Sequence, residues 1–313
     1  MNWSESELRI YNLALKNVEN NNKQLARIYL TVQKDIADKL KSFYAQVSPN
    51  WSQQYQAQRI SELFTTINQR LSQLTQLSTA QIKTAYLDQY QEVFNNYAYD
   101  LSDYYSGRAF FGSQFAILPF STVNESVIMA SLTDKVGEYS FLKSQAEKQI
   151  TLRQDLREIL TTGIIKGQNP IKVAKDLEKA FDSGLMRYVA TARTEMLKAY
   201  SLAQEESVSQ AQEMGIEFTF QWLGRNDGRE RLSHIMVNNT FAKIVDDKPV
   251  FYVGKSKGPG PRLLEGPDQA AQNIQCRCRR LNIPFNLTDV QKNNFPTLDD
   301  RPDFKKFAEL YLN

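Results

Sequence analysis

The chain has 313 residues, which exceeds the usual size of one domain, so two domains or one domain with a long appendage are expected. A hydrophobic fraction of 42% is enough for a core, whereas a mean hydropathy of −0.49 and a net charge of +3 exclude an integral membrane protein and a general polyanion binder. Because residues 1–7 lack the basic and apolar pattern of a signal peptide, we expect the protein to be made and used in a cytosol, or packed into a particle assembled there.

The N-terminal part carries the strongest helical pattern. From Leu8 to Phe43, apolar residues recur at alternating steps of three and four, with Asn22 and Lys39 as polar interruptions, up to a stop at Pro49. This seam predicts a helix longer than roughly 50 Å that needs partner helices. Two partners are predicted from the apolar series Ile60, Phe64, Ile67, Leu71, Leu74 and the series Ile82, Tyr86, Tyr90, Val93, Tyr97, Tyr104. We therefore expect a long helical hairpin or bundle over residues 1–118, with its tyrosines at the edge of the core; an aromatic docking face is the alternative.

A second helical region is predicted over residues 119–215. The glycines and the proline around Ala109-Phe110-Phe111 indicate a hinge or crossover before it. Helical periodicity returns over 124–132 and 141–165. Asn169-Pro170 is expected to cap and begin a short helix, and a further helix is expected from Gly184 or Leu185 to Met214, where Gly215 ends it.

The pattern changes to strands after Gly215. Residues 218–222, 249–253 and 278–284 are each typical of a strand, and a glycine- and proline-rich loop follows the second of them over 254–261. We expect a small β-rich module over 216–285, then a tail over 286–313 that is extended until a short helix from Pro302 to Leu312. The predicted fold class is α+β and mostly helical, with a long N-terminal helical hairpin or bundle and a small C-terminal β-rich module.

The predicted module is more basic than the rest of the chain. Residues 216–285 contain 11 Lys/Arg and 7 Asp/Glu, a balance of +4, which leaves −1 (27 against 28) for the remainder. Such a patch is suited to DNA phosphates or an acidic protein rim, although ordinary solvated arginines are an equally good interpretation. The candidates for phosphate contacts are Arg225, Arg262, Arg279 and Arg280.

Three stretches of the sequence carry a resemblance to a known family. They are the helical segment from Ile165-Lys166-Gly167-Gln168-Asn169-Pro170 to Ala192-Arg193-Thr194-Glu195, then Trp222 with Asp227, Arg229, Arg231 and His234, and last Asn273-Ile274-Gln275-Cys276-Arg277-Cys278-Arg279. In this order the chain resembles the phage Mu F-like (minor capsid, head-morphogenesis) family over roughly residues 145–285. Val237-Asn238-Asn239-Thr240 departs from the family's pattern, which commonly has a small loop ending in Asp-Gly, but asparagine tolerates left-handed backbone.

The resemblance implies a non-catalytic phage minor head protein that acts in head morphogenesis. Its implied partners are the portal protein and other head proteins, together with packaged DNA bound without sequence specificity, and no membrane. The implied location is the virion, in the capsid interior or at the portal vertex, and the host cytoplasm during assembly. We expect the Leu8–Phe43 seam, the tyrosine-rich helix faces and Ala109-Phe110-Phe111 to make the contacts.

The motif residues are interpreted as a polar cluster that holds the module together. Arg193 and Glu195 lie on different sides of a helix and are expected to tie separate elements to it by charge-assisted hydrogen bonds. Asp227 is expected to pair with an arginine of its neighbourhood. His234 and the two cysteines are expected to lie close together if the first and last strands of the module pair. The full set is Arg193, Glu195, Trp222, Asp227, Arg229, Arg231, His234, Cys276, Arg277 and Cys278, with Arg229, Arg231 and Arg277 as the candidate partners of Asp227.

Two sharper interpretations of this set remain open beside the structural one. His234, Cys276 and Cys278, with Asp227 or water as fourth ligand, form a candidate zinc site, yet Cys-x-Cys is a poorer chelating spacing than Cys-x2-Cys, so we expect no cofactor and keep zinc as the alternative. A cysteine or Glu195 beside His234 also resembles a catalytic pair, but no oxyanion-hole or phosphate-loop signature accompanies it. We expect no catalysis and no further catalytic domain after Phe285; a nucleic-acid-processing or toxin-type enzyme built on the same module is the alternative.

Overall fold

The computed structural model describes residues 2–46, 53–106, 114–133, 141–165, 168, 170–287, 297–298 and 300–312. Within these ranges the helices are α1 (Trp3–Gln46), α2 (Gln53–Ser106), α3 (Glu125–Thr133), α4 (Phe141–Ile165), α5 (Pro170–Glu213), α6 (Leu232–Met236), α7 (Gln269–Asn273) and α8 (Phe304–Tyr311). The strands are β1 (Phe115–Ala116), β2 (Ile216–Leu223), β3 (Lys243–Val245), β4 (Lys248–Val253), β5 (Ser256–Gly258), β6 (Arg279–Leu287) and β7 (Thr297–Leu298). This mostly helical α+β content confirms the predicted fold class. None of the described helices has the length and apolar character needed to cross a bilayer.

The chain forms two compact units, each assembled from segments that are far apart in sequence. Unit 1 consists of Met1–Val18, Ala85–Leu132 and Arg193–Asn313, and unit 2 of Glu19–Thr84 and Thr133–Ala192. The division into the consecutive parts 1–118, 119–215, 216–285 and 286–313 stays a prediction, because these units group residues by packing and not by their order along the chain.

Unit 2 is a helical assembly in which two predicted helix breaks are absent. Its core is built from Leu25, Tyr29, Val32, Ile36, Ile67, Leu71, Leu74, Leu152, Leu156, Leu160 and Tyr188, all buried. The second and third helices expected from the sequence are one helix, α2, and the two helices expected after Pro170 are one helix, α5. Gly184 lies inside α5 and does not begin a helix. Side-chain atoms of Leu152 and Tyr29 lie 3.4 Å from the position that a Cβ at residue 184 would take, so the glycine allows close packing inside α5.

The apolar seam of α1 is confirmed over most of its length but is shifted at its beginning. Leu8 is 44% exposed, whereas Glu7, Ile10 and Ala14 are fully buried. The buried face therefore includes a carboxylate that the apolar periodicity skipped. The side chains of this seam are buried, and so are four tyrosines of α2, namely Tyr86, Tyr90, Tyr97 and Tyr105. They therefore do not form the docking faces expected from the sequence. Pro49, Asn169 and Ala109-Phe110-Phe111 lie outside the described residues.

The strands of unit 1 confirm the predicted β-rich module. β2 pairs antiparallel with β6 from Ile216↔Leu287 to Leu223↔Arg279, with a bulge at Glu217/Phe218, and alternate residues of β2 are buried. β4 lies between β3 and β5 in a separate sheet. β5 is an addition to the prediction, because residues 254–261 were expected to form only a loop. The last helix, α8, is confirmed and begins after Asp303, whose side chain accepts a hydrogen bond from the backbone N–H of Lys306.

A buried carboxyl group joins α1 to the module inside unit 1. Glu7 Oε1 accepts hydrogen bonds from the Tyr97 hydroxyl (2.6 Å) and from the backbone N–H of Asn282 in β6 (3.0 Å). Glu7 Oε2 is buried and has no hydrogen-bond partner among the described residues. The Gln204 amide on α5 donates both to the Tyr97 hydroxyl and to the carbonyl oxygen of Arg280 (2.9 Å). Burial raises the pKa of Glu7 to about 7, in spite of these hydrogen bonds.

The raised pKa of Glu7 predicts that this group destabilises the fold as the pH rises. In the unfolded chain the carboxyl has its ordinary pKa of 4.5, so its stabilising contribution is complete below that pH and is lost as the pH rises through about 7. The expected difference between pH 4.5 and pH 8 is about 3 kcal/mol. We expect Glu7→Gln to flatten the pH dependence of the urea unfolding midpoint and to be more stable than the parent at pH 8. Glu5→Gln, at an exposed position of the same helix, is the control and should follow the parent; a Glu7→Gln profile parallel to the parent's would contradict the prediction.

Candidate functional site

The pairing of β2 with β6 brings the chain's single histidine and its two cysteines together. His234 lies on α6, which follows β2, and Cys278 directly precedes β6. His234 Nδ1 lies 3.3 Å from Cys278 Sγ and 3.7 Å from Cys276 Sγ. The three potential ligand atoms all lie within 4.8 Å of one another, and all three side chains are buried. The expected proximity of the three residues is thereby observed, and the cluster is inaccessible to bulk solvent.

A chain of hydrogen bonds fixes the orientation of the His234 ring. Nε2 lies 3.0 Å from Gln272 Oε1, which also accepts a hydrogen bond from the Ser233 hydroxyl (2.9 Å). The Gln272 Nε2 group donates to Asp268 Oδ2 (2.8 Å). Hydrogen bonds from the Ser256 hydroxyl, the Lys255 backbone and Gln272 lower the pKa of Asp268 to about 2, so this carboxylate is an acceptor at neutral pH. The amide of Gln272 therefore presents its oxygen to His234, so Nε2 carries a proton and Nδ1 faces the two sulfur atoms.

Arg262 holds the backbone of the two cysteines. Its guanidinium donates to the carbonyl oxygens of Cys278 (2.7 Å) and Cys276 (3.2 Å) and, through Nε and the second terminal nitrogen, to the Ser201 hydroxyl of α5 at 3.1 and 2.9 Å. The side chain is 3% exposed and lies over the ring of Tyr200. The φ of Arg262 is +69°, a left-handed conformation that costs free energy for a residue other than glycine. This strain indicates that the position of the guanidinium is fixed by its partners.

The two thiols differ in their tendency to ionise. The hydrogen bond from Cys278, followed by the contributions of His234 and Arg262, lowers the pKa of Cys276 well below its ordinary value despite burial. The hydrogen bond to Cys276 and burial raise the pKa of Cys278.

Asp227 lies beside three arginines, and two of its three predicted partners, Arg229 and Arg277, are among them. It forms an ion pair with Arg277 and lies 3.5 Å from a terminal nitrogen of Arg229 and 3.7 Å from Nε of Arg225. Arg231 does not pair with it. Instead, Arg231 donates to the carbonyl oxygen of Ile274 (2.6 Å) because it lies at the beginning of α6, beside the segment that leads to Cys276.

Thr194, which lies between Arg193 and Glu195 in the helical motif, contacts the module. Thr194 Oγ1 accepts a hydrogen bond from the backbone N–H of Gln275 (3.1 Å), directly before Cys276. Glu195 is buried. Arg193 is half-buried, and burial together with the nearby Arg277, Arg225 and Arg229 lowers the pKa of its guanidinium. The hydroxyl groups of Thr194 and Ser201 thus contribute to the expected tie between α5 and the module, together with Gln204 and Glu205, which contact Arg280.

Two of the four arginines expected to contact DNA phosphates are buried. Arg262 binds the cysteine carbonyls as described, and Arg280 is 2% exposed, where it pairs with Glu205 and donates to Asn282 Oδ1 (2.6 Å) and the carbonyl oxygen of Pro259 (2.8 Å). Their side chains are therefore not available to a phosphate, which corrects that part of the prediction. Arg225 remains partly exposed and Arg279 half-buried.

Trp222 and the turn after His234 complete the site. Trp222 is fully buried, with its ring edge-on to His234 (centroids 5.5 Å apart) and to Phe251 (5.4 Å). In the turn that departs from the family's pattern, Asn239 has a φ of +63°, so it adopts the left-handed backbone expected of it. The Asn238 side chain accepts a hydrogen bond from the backbone N–H of Gly224 (2.7 Å). Asparagines here maintain the turn without a glycine.

Sequence reasoning missed Gln272, Asp268 and Ser201. The first two could have been noticed in the sequence, because Asp268 and Gln272 are four residues apart at a short helix that leads into the cysteine motif. Asp268 directly precedes this helix and Gln272 lies within it. Nothing in the local sequence marks Ser201, since it is one of many small residues on the packed face of α5. Only the three-dimensional position of Arg262 reveals its role.

Comparison with known proteins agrees with the predicted resemblance. Residues 154–281 match the model of a family described as Phage Mu protein F like protein. The chain is also similar to the Enterococcus faecalis protein named NAD(+)--arginine ADP-ribosyltransferase EFV, with 22% identity over 202 residues. That similarity covers 64% of this chain and 40% of the relative, so the chain spans about two fifths of that protein's length. No solved structure matches the chain significantly.

The position of Arg262 predicts that lysine cannot replace it. A lysine ammonium lacks the planar set of donors that reaches two carbonyl oxygens and a hydroxyl together, so at least one buried acceptor would lose its partner. We expect Arg262→Lys to lower the free energy of unfolding by about 2–3 kcal/mol, measured by urea titration. Arg229→Lys, at a side chain that is 77% exposed, is the matched control and should change it by less than about 0.5 kcal/mol. Equal effects of the two substitutions would show that the buried contacts of Arg262 do not stabilise the fold.

Proposed function

We propose that this chain, which belongs through residues 154–281 to the phage Mu F-like family, is a phage head protein that docks on the portal or the inner capsid surface during head assembly. The family match is the observation that carries the proposal. Family membership supports a role in the phage head; the portal as direct partner and the contact with packaged DNA are the finer parts of the proposal.

The geometry of the motif residues supports a binding module and not an enzyme. His234, Cys276 and Cys278 are each at most 2% exposed, and Glu195 is 4% exposed. A catalytic nucleophile or base must reach its substrate, and these side chains contact each other and the module's core instead. The polar groups hold α5, α6, α7 and the start of β6 in fixed positions, as a rigid docking module requires.

The module exposes an apolar surface that is suited to a protein partner. We call it the docking patch; its residues are Leu232, Ile235, Met236, Phe241, Ile244 and Tyr252, each more than half exposed. Leu232, Ile235 and Met236 lie on the short helix α6, whose one buried residue is His234. Ile235 and Met236 lie three and four residues after Leu232 and share one face of this helix with it, and exposed apolar side chains grouped in this way are typical of an interaction site. It replaces the buried α1 seam as our candidate contact surface for the portal or another head protein.

A contact with packaged DNA is the accessory part of the proposal. Arg225 and Arg229 have side chains that are 45% and 77% exposed, and both stand beside Asp227 in the basic part of the chain. Exposed guanidinium groups can donate hydrogen bonds to phosphate oxygens, and such contacts do not recognise the base sequence. We expect DNA binding to weaken steeply as salt increases, because it depends on the release of counterions.

Enzymatic transfer is the second candidate, and the similarity to the ADP-ribosyltransferase of E. faecalis is the observation that favours it. The chain spans only about two fifths of that protein, so its activity need not reside in the shared part. Incubating the purified chain with NAD⁺ and an arginine-containing acceptor would decide. Nicotinamide release above that of a heat-inactivated sample would replace our proposal with a transferase; we expect none.

The docking patch predicts which substitutions will abolish partner binding. The tagged chain is co-expressed with the neighbouring head genes, and the bound proteins are identified and imaged; we expect a ring-shaped portal oligomer. In Leu232→Ser/Met236→Ser, recovery of the portal should fall at least about tenfold, since two anchors of the patch lose their apolar contacts. Leu77→Ser, at an exposed leucine of unit 2, is the matched control and should bind like the parent.

The outcomes of this experiment separate the parts of the proposal. Failure of the parent chain to recover any head protein would overturn the assembly role. Recovery of a head protein that the double variant binds equally well would refute the docking patch but leave the assembly role in place. The thermal unfolding of each variant is compared with that of the parent to confirm that the fold is intact.

A further inference from the structure

We propose that His234, Cys276 and Cys278 bind one zinc ion, through Nδ1 of the imidazole and the two cysteine sulfurs. The site lies on the same helix as part of the docking patch, but zinc binding does not require that the chain acts in head assembly. It is argued from the distances within the cluster, the orientation of the imidazole ring and the position of the cysteine backbone.

The distances within the cluster are those of a tetrahedral zinc site. With Zn–S bonds of about 2.3 Å and Zn–N bonds of about 2.0–2.1 Å, tetrahedral angles place a ligand nitrogen about 3.5 Å from each ligand sulfur. The observed separations from His234 Nδ1 are 3.3 Å to Cys278 Sγ and 3.7 Å to Cys276 Sγ. Both nitrogen–sulfur separations thus lie close to the tetrahedral value, and all three ligand atoms lie within 4.8 Å of one another. Sulfur and imidazole nitrogen are the donors that zinc prefers over harder cations.

The His234 ring presents the correct nitrogen to the sulfurs. Ionised Asp268 accepts from the Gln272 amide nitrogen, so the amide oxygen must face His234 and accept its Nε2 proton. A metal-binding histidine characteristically donates its other ring N–H to such an acceptor, which fixes the tautomer and the ring orientation. Nδ1 faces both sulfur atoms, and in the neutral imidazole with its proton on Nε2 it is the nitrogen that carries the lone pair. A zinc ion would satisfy both sulfurs and the nitrogen together.

The local backbone overcomes the unfavourable spacing of the two cysteines. Residues two apart in extended backbone point to the same side, and here Cys276 and Cys278 are buried while Arg277 between them pairs outward with Asp227. Arg262 holds both cysteine carbonyl oxygens, and Thr194 holds the N–H of Gln275 before them. A Cys-x-Cys segment fixed at both ends can present two sulfurs to one ion without further rearrangement.

Three protein ligands leave one coordination position. Asp227, the fourth ligand considered from the sequence, is occupied by Arg277, Arg229 and Arg225, so we assign this position to a water molecule. Because the ligands come from α6 and from the segment before β6, the ion would connect two segments that are about forty residues apart in the chain. Its expected role is structural, and its removal should destabilise the module.

The proposal is tested by the metal content of the full chain. Protein produced in zinc-supplemented medium and dialysed without chelator is expected to contain about one zinc per chain by plasma mass spectrometry. Cys276→Ser and His234→Ala should each lower this at least about tenfold. Phe251→Leu, which disturbs the packing against Trp222 but keeps every ligand, is the matched control and should retain its zinc.

A second measurement keeps the test decisive if a ligand variant fails to fold. The parent chain is stripped of metal and titrated with cobalt(II), for which we expect thiolate-to-cobalt charge-transfer absorption and the intense visible bands of tetrahedral cobalt, both removed by added zinc. Parent protein with less than about one zinc per ten chains, together with no cobalt spectrum, would overturn the proposal and leave a metal-free hydrogen-bonded cluster. Zinc retained by Cys276→Ser and His234→Ala would likewise overturn it, since the chain has no other cysteine or histidine apart from Cys278.

Discussion

The antiparallel pairing of β2 with β6 is the constraint on which unit 1 depends. It joins two strands whose paired residues are more than fifty positions apart, and its register sets Trp222 opposite Arg280 and Leu223 opposite Arg279. At one end of this ladder, β2 is followed by α6, which carries His234. At the same end, the segment with Cys276 and Cys278 leads into β6. The ladder also presents the Asn282 N–H to Glu7 and the Arg280 carbonyl to Gln204. A change of register by one residue would exchange the faces of the strand and separate all of these contacts.

Much of this arrangement was predictable from the sequence, because it follows from local periodicity. The helices 124–132 and 141–165, the three longer strands and the final helix were indicated by patterns of apolar residues, and the end of α5 was indicated by Gly215. The proximity of His234 to the cysteines followed from one assumption about strand pairing. The ordered motifs also indicated the family, although each motif by itself is weak.

Other features depend on contacts between distant residues, and local patterns do not contain them. Leu8 appeared to continue an apolar seam, yet Glu7 is the buried residue because Tyr97 and Asn282 supply its hydrogen bonds. Gly184 was predicted at the beginning of a helix, because only the neighbouring Leu152 and Tyr29 show that it serves close packing inside one. Arg262 and Arg280 belonged to a basic cluster in the sequence, but acceptors from other elements bury them. In each case the sequence shows the residue type but does not show which residue it contacts.

The C-terminal β-rich module combines a buried polar cluster with exposed apolar residues on the same short helix. His234 points from α6 into the cluster, whereas Leu232 and Met236 face solvent. The buried contacts of His234 therefore fix the helix, and its exposed apolar residues are available to a partner. One short helix thus serves the interior and the surface of the module at the same time.

The composition of unit 1 has a consequence for the synthesis of the protein. Glu7 is contacted by a backbone N–H that lies 275 positions later in the chain, and Trp3 donates to a carbonyl oxygen 279 positions later. The first turns of α1 therefore leave the ribosome long before β6 exists to cover their buried face. During translation the indole of Trp3 and the carboxyl group of Glu7 must remain in water or be held by a chaperone. Contacts between residues so far apart in sequence also slow folding, so unit 1 is expected to close only after β6 has been synthesised.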